Sequence, residues 1–268
     1  MKNIIKRLLN WYKKPRKQRI HLLIEKIKRL PALVIYVGHF HSDNIYLAYQ
    51  PDSLSTNGNH LEFEGLKRKF IANNRGNNSG DIPRLWSLIL NLKQLMKEEV
   101  PGDFAELGVW RGNTASILAY FAAKHSRKVL LFDTFEGFNQ NDFKGIDSDK
   151  FVLFENTSIK MVLDVIGEDS SVCEFVKGYF PLSINSQHEM MSFSAVSLDC
   201  DLYAPTKAGL NFFYPRLSRG GLLLLHDYSS GHWDGCKRAV DEFCQDTGEM
   251  LILMPDKSGS AFIKKSKN

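Results

Sequence analysis

The sequence predicts an α/β protein built on a Rossmann-like, mostly parallel open sheet, and three observations lead there. Short apolar runs alternate with helical patterns from residue 103 to residue 247. A glycine-bearing turn, PGDFAELGVWRGNT at residues 101–114, carries a strand straight into a helix. Two further apolar runs, 250–253 and 261–263, flank the turn-rich PDKSGS and read as a closing antiparallel hairpin.

Taken in order, residues 2–14 place Ile4, Ile5, Leu8, Leu9 and Tyr12 at helical spacing until Pro15. A second helical stretch, 18–30, carries Ile20, Leu23, Ile24 and Ile27. Residues 33–37 read as a strand, and a polar region follows to Asn59. Helical patterning returns at 61–72, then NNRGNNSGD at 73–81 reads as a turn-rich loop whose composition favours a plain connector and whose position also suits a substrate-covering lid. Asp81 is the expected cap, and Pro83 the start, of a long helix running to Glu99. Five strands are expected at 103–107, 128–132, 172–176, 193–198 and 222–225. Helices begin after Asn113 and at 157–166, 204–217 and 233–247, with a polar loop at 136–150. Arg219-Gly220-Gly221 reads as the stop signal of the 204–217 helix. The division expected from this pass is an N-terminal basic helical extension with an accessory segment, 1–72, and a sheet domain, 73–268.

Composition narrows the function classes. Of 268 residues, 43% are hydrophobic and 24% charged, as in an ordinary globular protein, and no apolar run approaches the roughly 18 residues a membrane span needs. No secretory leader is apparent at the N-terminus. Cys173, Cys200, Cys236 and Cys244 form no CxxC pair, which fits a reducing cytoplasm. The net charge of +5 arises in residues 1–30, where eleven Lys and Arg face Glu25 alone. The remainder is mildly acidic, which argues against nucleic-acid binding. The favoured reading of the basic amphipathic pattern is packing on the body or on a second subunit, making a homo-oligomer. Its alternative is peripheral contact with an anionic membrane, at the inner face.

The turn at 106–112 is ExGxxxG rather than GxGxxG. Glu106 repels a pyrophosphate but can accept hydrogen bonds from an ammonium or a hydroxyl, so S-adenosylmethionine suits it better than a dinucleotide. Asp133 follows at the next strand end, placed for two ribose hydroxyls. The candidate cofactor contacts are Glu106, Gly108, Trp110, Gly112, Asn113, Thr114, Asp133, Thr134 and Phe135. At later strand ends stand Asp199 and His226-Asp227. Asp199 and Asp227 make an oxygen-rich site for a divalent metal that would lower a hydroxyl pKa; His226 is alternatively a general base. Asp201 reads as a loop or cap residue.

PGDFAELGVWRGNT, LFDTFEGF, GYFPLS, LDCDLYAPTKAGLNFFYPRLSRGG and HDY…GCKRAVDEF together resemble the macrocin (mycinamicin-type) O-methyltransferase family across roughly residues 74–264. The resemblance implies a class I methyltransferase fold, with a seven-stranded sheet whose last strand is antiparallel. It implies S-adenosylmethionine at Glu106, Gly108 and Asp133, a sugar or glycan hydroxyl as acceptor, and magnesium held at Asp199 and Asp227. The chain departs from the family in having His226-Asp227 where two adjacent acids are usual, leaving metal-assisted and metal-free catalysis both open. The first 70 residues match the family poorly, and acceptor choice is expected there. Two other readings compete: a nicotinamide-dependent oxidoreductase, disfavoured by the missing GxGxxG and Tyr-x-x-x-Lys patterns, and a non-catalytic protein retaining the fold.

Overall fold

The computed structural model describes residues 59–266. The helices expected at 2–14 and 18–30 and the strand at 33–37 lie outside those residues. The described chain opens with helix α1 (Asn59–Ile71), a single turn α2 (Arg75–Asn78) and the long α3 (Ile82–Lys97). The sheet then alternates with helices: β1 (Asp103–Leu107), α4 (Asn113–Lys124), β2 (Val129–Asp133), α5 (Ile159–Ile166) and β3 (Cys173–Lys177). A short turn α6 (Ser186–Glu189) precedes β4 (Phe193–Leu198), α7 (Tyr203–Arg216), β5 (Leu217–Leu225), α8 (Asp234–Thr247), β6 (Ile252–Leu253) and β7 (Ala261–Lys264).

The seven strands lie in the order β3-β2-β1-β4-β5-β7-β6. Strands β1 to β5 pair in parallel, and β7 runs antiparallel between β5 and β6. The expected sheet, including its antiparallel last strand, is the one found. Its centre is buried on both faces: every residue of β4 is buried, as are Phe104 to Leu107 of β1. One face is packed by α7 and α8, where Phe213 meets Phe132, Phe180 and Phe193 at 5.6, 5.8 and 5.3 Å between ring centroids. On the other face α4 packs against α1 and α5.

Two local expectations are corrected. Arg219-Gly220-Gly221 does not end a helix. Helix α7 stops at Arg216, and the three residues lie inside β5, where the register against β4 shifts between Phe193 and Ala195. Gly220, at φ +79, absorbs that irregularity in a conformation open to glycine. Asp81 occupies the N-cap position of α3 but makes no capping bond. Its carboxylate instead accepts from the Lys257 amide at 3.0 Å and lies 3.1 Å from the Arg84 Nε. A buried cation outbids the helix amides for it.

The strand order reverses between β1 and β4, so the crevice forms over the carboxyl ends of these two strands. There the ladder runs one residue past the strands: Gly108 donates to Phe132, Asp199 to Leu107 and His226 to Leu198, each at 2.9 Å. The backbone of all three site positions is thereby tied to the sheet. Gly108 sits at φ +87, and a Cβ on it would lie 1.9 Å from the Asp199 carbonyl oxygen. Only glycine lets these two strand ends close.

Candidate active site

A cavity of about 460 Å³ opens above the strand ends, within the range of small-molecule sites. Of the residues expected at the site, Gly108, Trp110, Asp133, Thr134, Asp199, His226 and Asp227 line it. Glu106, Gly112, Asn113, Thr114 and Phe135 lie behind the wall. Glu106 is buried with one carboxylate oxygen unpartnered, and burial, helped by the Asp199 and Asp133 charges, holds its pKa well above the usual range. The Cβ position of Gly112 faces Val162 of α5, 2.7 Å away, rather than the cavity. Asn113 donates to the carbonyls of Lys69 and Ala72 at 3.2 and 2.6 Å, closing the end of α1, and Thr114 is buried beside it in α4. Phe135 packs its ring 6.2 Å from Phe175.

Asp133 does structural work at the rim. One carboxylate oxygen accepts the amides of Val109 and Trp110 at 2.7 and 2.9 Å, and the other accepts the Phe135 amide at 2.6 Å. The β1–α4 turn is thus clamped to the end of β2. The second oxygen, holding a single bond, keeps acceptor capacity toward the cavity. Thr134 braces the same corner by donating to the Gly137 carbonyl at 2.7 Å. Trp110, Phe135, Asp201 and Asp227, which follow β1, β2, β4 and β5, all have positive φ, at 45, 55, 60 and 58°. Such backbone costs on the order of 1 kcal/mol or more per residue, and here it recurs at four strand ends around one cavity.

The acidic end of the cavity holds Asp199, Asp201 and Asp227 around His226. One ligand atom from each of Asp199, His226 and Asp227 lies within 4.8 Å of the others. The His226 Nδ1 is 3.6 Å from Asp199 Oδ1 and 3.5 Å from Asp227 Oδ2. Burial raises the Asp199 pKa, an effect that His226 opposes and Asp227 reinforces. Burial pushes the Asp201 carboxyl well up, and the charges of Asp199 and Asp227 push it further. For His226, burial is the largest influence and lowers the pKa, as does Arg84, but Asp199 and Asp227 together carry the imidazole above its ordinary value.

Arg84 escaped the sequence reading, as did Asn78 and the cavity role of Asp201. The Arg84 side chain is buried on α3, and its Nη1 lies 2.8 Å from His226 Nε2 while Nη2 donates to Asn78 Oδ1 at 2.5 Å. A signal was present: Arg84 falls on the same stripe of α3 as the buried Leu88, Leu92 and Leu95, a core-facing place for a cation. The opposite wall is aromatic. Phe154 meets Trp110 and Phe138 at 5.2 and 5.0 Å, and Phe138 meets Trp233 at 5.7 Å, all edge to face. Near it the Tyr179 hydroxyl donates to Asp142 at 2.5 Å. These residues come from separate loops with no shared local pattern, so sequence spacing could not group them.

Comparison with known proteins agrees with this architecture. Residues 80–256 match the macrocin-O-methyltransferase (TylF) family model. The chain is 27% identical over 174 residues to 8-demethyl-8-(2,3-dimethoxy-alpha-L-rhamnosyl)-tetracenomycin-C 4'-O-methyltransferase of Streptomyces olivaceus, covering 60% of this chain and 65% of that one. It is 28% identical over 177 residues to demethyldecarbamoylnovobiocin O-methyltransferase of Streptomyces niveus, again covering 60% and 65%. The match therefore spans just under two thirds of these relatives' length. Among solved structures, the O-methyltransferase NovP aligns with a TM-score of 0.57 and 25% identity over 69% of this chain and 81% of its own. CalS11, a calicheamicin methyltransferase, shares the fold at a TM-score of 0.55 and 20% identity, over 81% of this chain and 95% of its own. The family match takes in the glycine turn, the clamped Asp133 and the acids ending β4 and β5, and the chain belongs to the macrocin O-methyltransferase family.

Proposed function

We propose that this chain is an S-adenosylmethionine-dependent O-methyltransferase acting on a hydroxyl of a sugar or glycan. The observation that supports it most is the shape of the cavity: one small-molecule volume joins the β1 turn and Asp133 at one end to Asp199, Asp201 and Asp227 at the other. A nucleoside fits the first end, where Asp133 retains acceptor capacity for a ribose hydroxyl and aromatic rings stand alongside. When bound, S-adenosylmethionine supplies an electrophilic methyl group on a sulfonium.

The chain's own task is orientation and proton removal. An acceptor hydroxyl set against Asp199 would give up its proton to that carboxylate, and bound S-adenosylmethionine would supply the methyl group and the sulfonium leaving group. His226, 3.6 Å from Asp199 and 3.5 Å from Asp227, is the alternative base. The aromatic wall of Phe138, Phe154 and Trp233 offers flat apolar faces to the remainder of the acceptor. The oxygen donors present also fit magnesium: Asp199 and Asp227 would hold it, and there it would lower the pKa of the acceptor hydroxyl.

Calorimetric titration with S-adenosylmethionine and, separately, NADH tests the reading; heat with NADH alone refutes it in favour of an oxidoreductase. Labelled methyl transfer to fractionated glycans identifies the acceptor, and assays of Asp199→Ala and Asp227→Ala with and without EDTA separate metal-assisted from metal-free turnover. Activity indifferent to both substitutions removes these acids from the mechanism. We assign the first 70 residues to acceptor choice and the basic stretch 1–30 to packing on the body or on a second copy, in a cytoplasmic protein. Liposome co-sedimentation, with residues 1–15 present or deleted, checks the alternative of an anionic membrane surface. No helix among the described residues is long and apolar enough to cross one.

A further inference from the structure

Helices α7 and α8 both begin without a cap of their own. The first turn of a helix leaves amides with no intrahelical partner, and a Ser, Thr, Asp or Asn at the N-cap usually supplies the acceptor. Here the N-cap positions are Leu202 and Trp233, and neither makes a side-chain capping bond. Both residues instead line the cavity. Each helix gives its cap position to the cavity wall, so an acceptor for its first amides has to come from another part of the chain.

Asp147, in the loop 138–153, is placed to supply it. The residue is fully buried, and its Oδ2 accepts the amide of Tyr203, the first residue of α7, at 2.7 Å. Its Oδ1 has no hydrogen-bond partner among the described residues. The same carboxylate lies against the start of α8. A Cβ on Gly235, the second residue of that helix, would sit 2.4 Å from both Asp147 oxygens, and the three atoms nearest to it all belong to Asp147. A carboxylate between two helix amino ends is favoured by both dipoles. The loop is pinned elsewhere too. The Phe138 amide donates to the Leu153 carbonyl at 3.1 Å, closing the loop's neck, and Asp142 accepts the Tyr179 hydroxyl at 2.5 Å. Lys150 donates its amide to the Asp147 carbonyl at 3.1 Å and holds its ammonium 5.7 Å from the Trp233 ring.

We propose that Asp147 is a positioning residue that caps α7 and braces α8 from the loop, fixing Leu202, Trp233 and Phe138 as one wall of the cavity. Gly235 is then glycine for a steric reason: the Asp147 carboxylate occupies the place its side chain would take. Its backbone, inside α8, needs no special conformation. The consequence rests on the methyltransferase reading. Asp147 shapes the aromatic end that receives the acceptor, whereas the nucleoside end is held separately by the Asp133 clamp on Val109, Trp110 and Phe135.

The test combines amide exchange of the full chain, read by NMR, with 19F spectra of 5-fluorotryptophan-labelled protein in which Trp233 is assigned by its loss in Trp233→Phe. Asp147→Ala is expected to speed exchange of the Tyr203 amide about 5-fold, as for a lost cap, and to shift the Trp233 signal. The first turn of α5, capped by its own Ser158, should exchange as in the wild type. Gly235→Ala drives the carboxylate aside, so this change in α8 should by itself speed exchange at Tyr203 in α7. It should also lower the urea midpoint of the wild type yet raise that of Asp147→Ala, where the space is empty and alanine is the better helix former. The Kd for S-adenosylmethionine stays within about 2-fold throughout, because the nucleoside end has its own clamp. A midpoint lowered equally in both backgrounds overturns the proposal, as does an unmoved Trp233 signal or a Kd weakened about 10-fold or more. Tyr203 exchange indifferent to Gly235→Ala overturns it as well, a readout that holds even if Asp147→Ala does not fold. The expected exchange, spectra and midpoints in a protein that transfers no methyl group sink the functional reading and leave the Asp147 bridge standing.

Discussion

Replacing Gly108 by alanine tests whether the strand ends are as tightly closed as described. The position has φ +87, so any side chain first pays the left-handed penalty of roughly 1–2 kcal/mol. The new Cβ would then lie 1.9 Å from the Asp199 carbonyl oxygen and 2.7 Å from its carbonyl carbon. Backbone in a sheet cannot swing aside as a side chain does, so the ends of β1 and β4 must part, at a further cost of about 1–3 kcal/mol for overpacking. Gly248→Ala is the control: it is left-handed, at φ +74 and ψ 8, but nothing lies within 4 Å of the added carbon. Urea denaturation of both variants should therefore show Gly108→Ala less stable than Gly248→Ala by about 1–3 kcal/mol, the steric part. Because the intruding carbon displaces Asp199, calorimetry should also show weakened S-adenosylmethionine binding in Gly108→Ala and none in the control. Equal destabilisation of the two variants would refute the claim that β1 and β4 close on glycine.

Three further expectations follow from the same geometry. Asp133→Asn, with its oxygen kept on the Val109 and Trp110 amides, leaves the Phe135 amide facing an NH2 group, which should cost about 1–3 kcal/mol in denaturant unfolding and speed exchange of the Phe135 amide. Phe213→Ala removes a fully buried ring at the meeting point of Phe132, Phe180 and Phe193, and unfolding should show a loss of about 3–5 kcal/mol. Burial acts to raise the Glu62 pKa, but bonds from Lys93, Tyr120 and Lys124 prevail and lower it to about 2. A depressed carboxylate stabilises the fold above its unfolded pKa and loses that contribution as pH falls from 4.5 through about 2. Glu62→Gln should therefore flatten the acid limb of the stability curve, read by urea denaturation at pH 3 and pH 7, while an unchanged limb removes the network from acid stability.

Much of this protein was legible residue by residue. β1 and β4 were bounded as found because each is a short apolar run between breakers, and a strand buried on both faces needs nothing from its neighbours to declare itself. The acids ending β4 and β5 were visible for a related reason. Helix α5, expected at 157–166, spans Ile159–Ile166, and the structure shows its cap: the Ser158 hydroxyl accepts the Met161 amide at 3.1 Å. Local failures had local causes: Arg219-Gly220-Gly221 carries the signature of a helix stop, and a β-bulge uses the same residue types for the same positive φ.

What the sequence alone determined, then, is the alternation of elements, the glycine turn and the presence of carboxylates at strand ends, all set by short-range periodicity and backbone sterics. Tertiary structure decided where each polar group spends its hydrogen bonds. Asp133 turned out to clamp three backbone amides, Asp81 to serve Arg84 rather than its helix, and Asp201 to join a buried acid cluster. Arg84 and His226 meet across 142 residues because the fold lays α3 beside the end of β5. Periodicity states which face of an element avoids water; it carries no information about which distant charge lies opposite, and in a low-dielectric pocket that partner sets the chemistry.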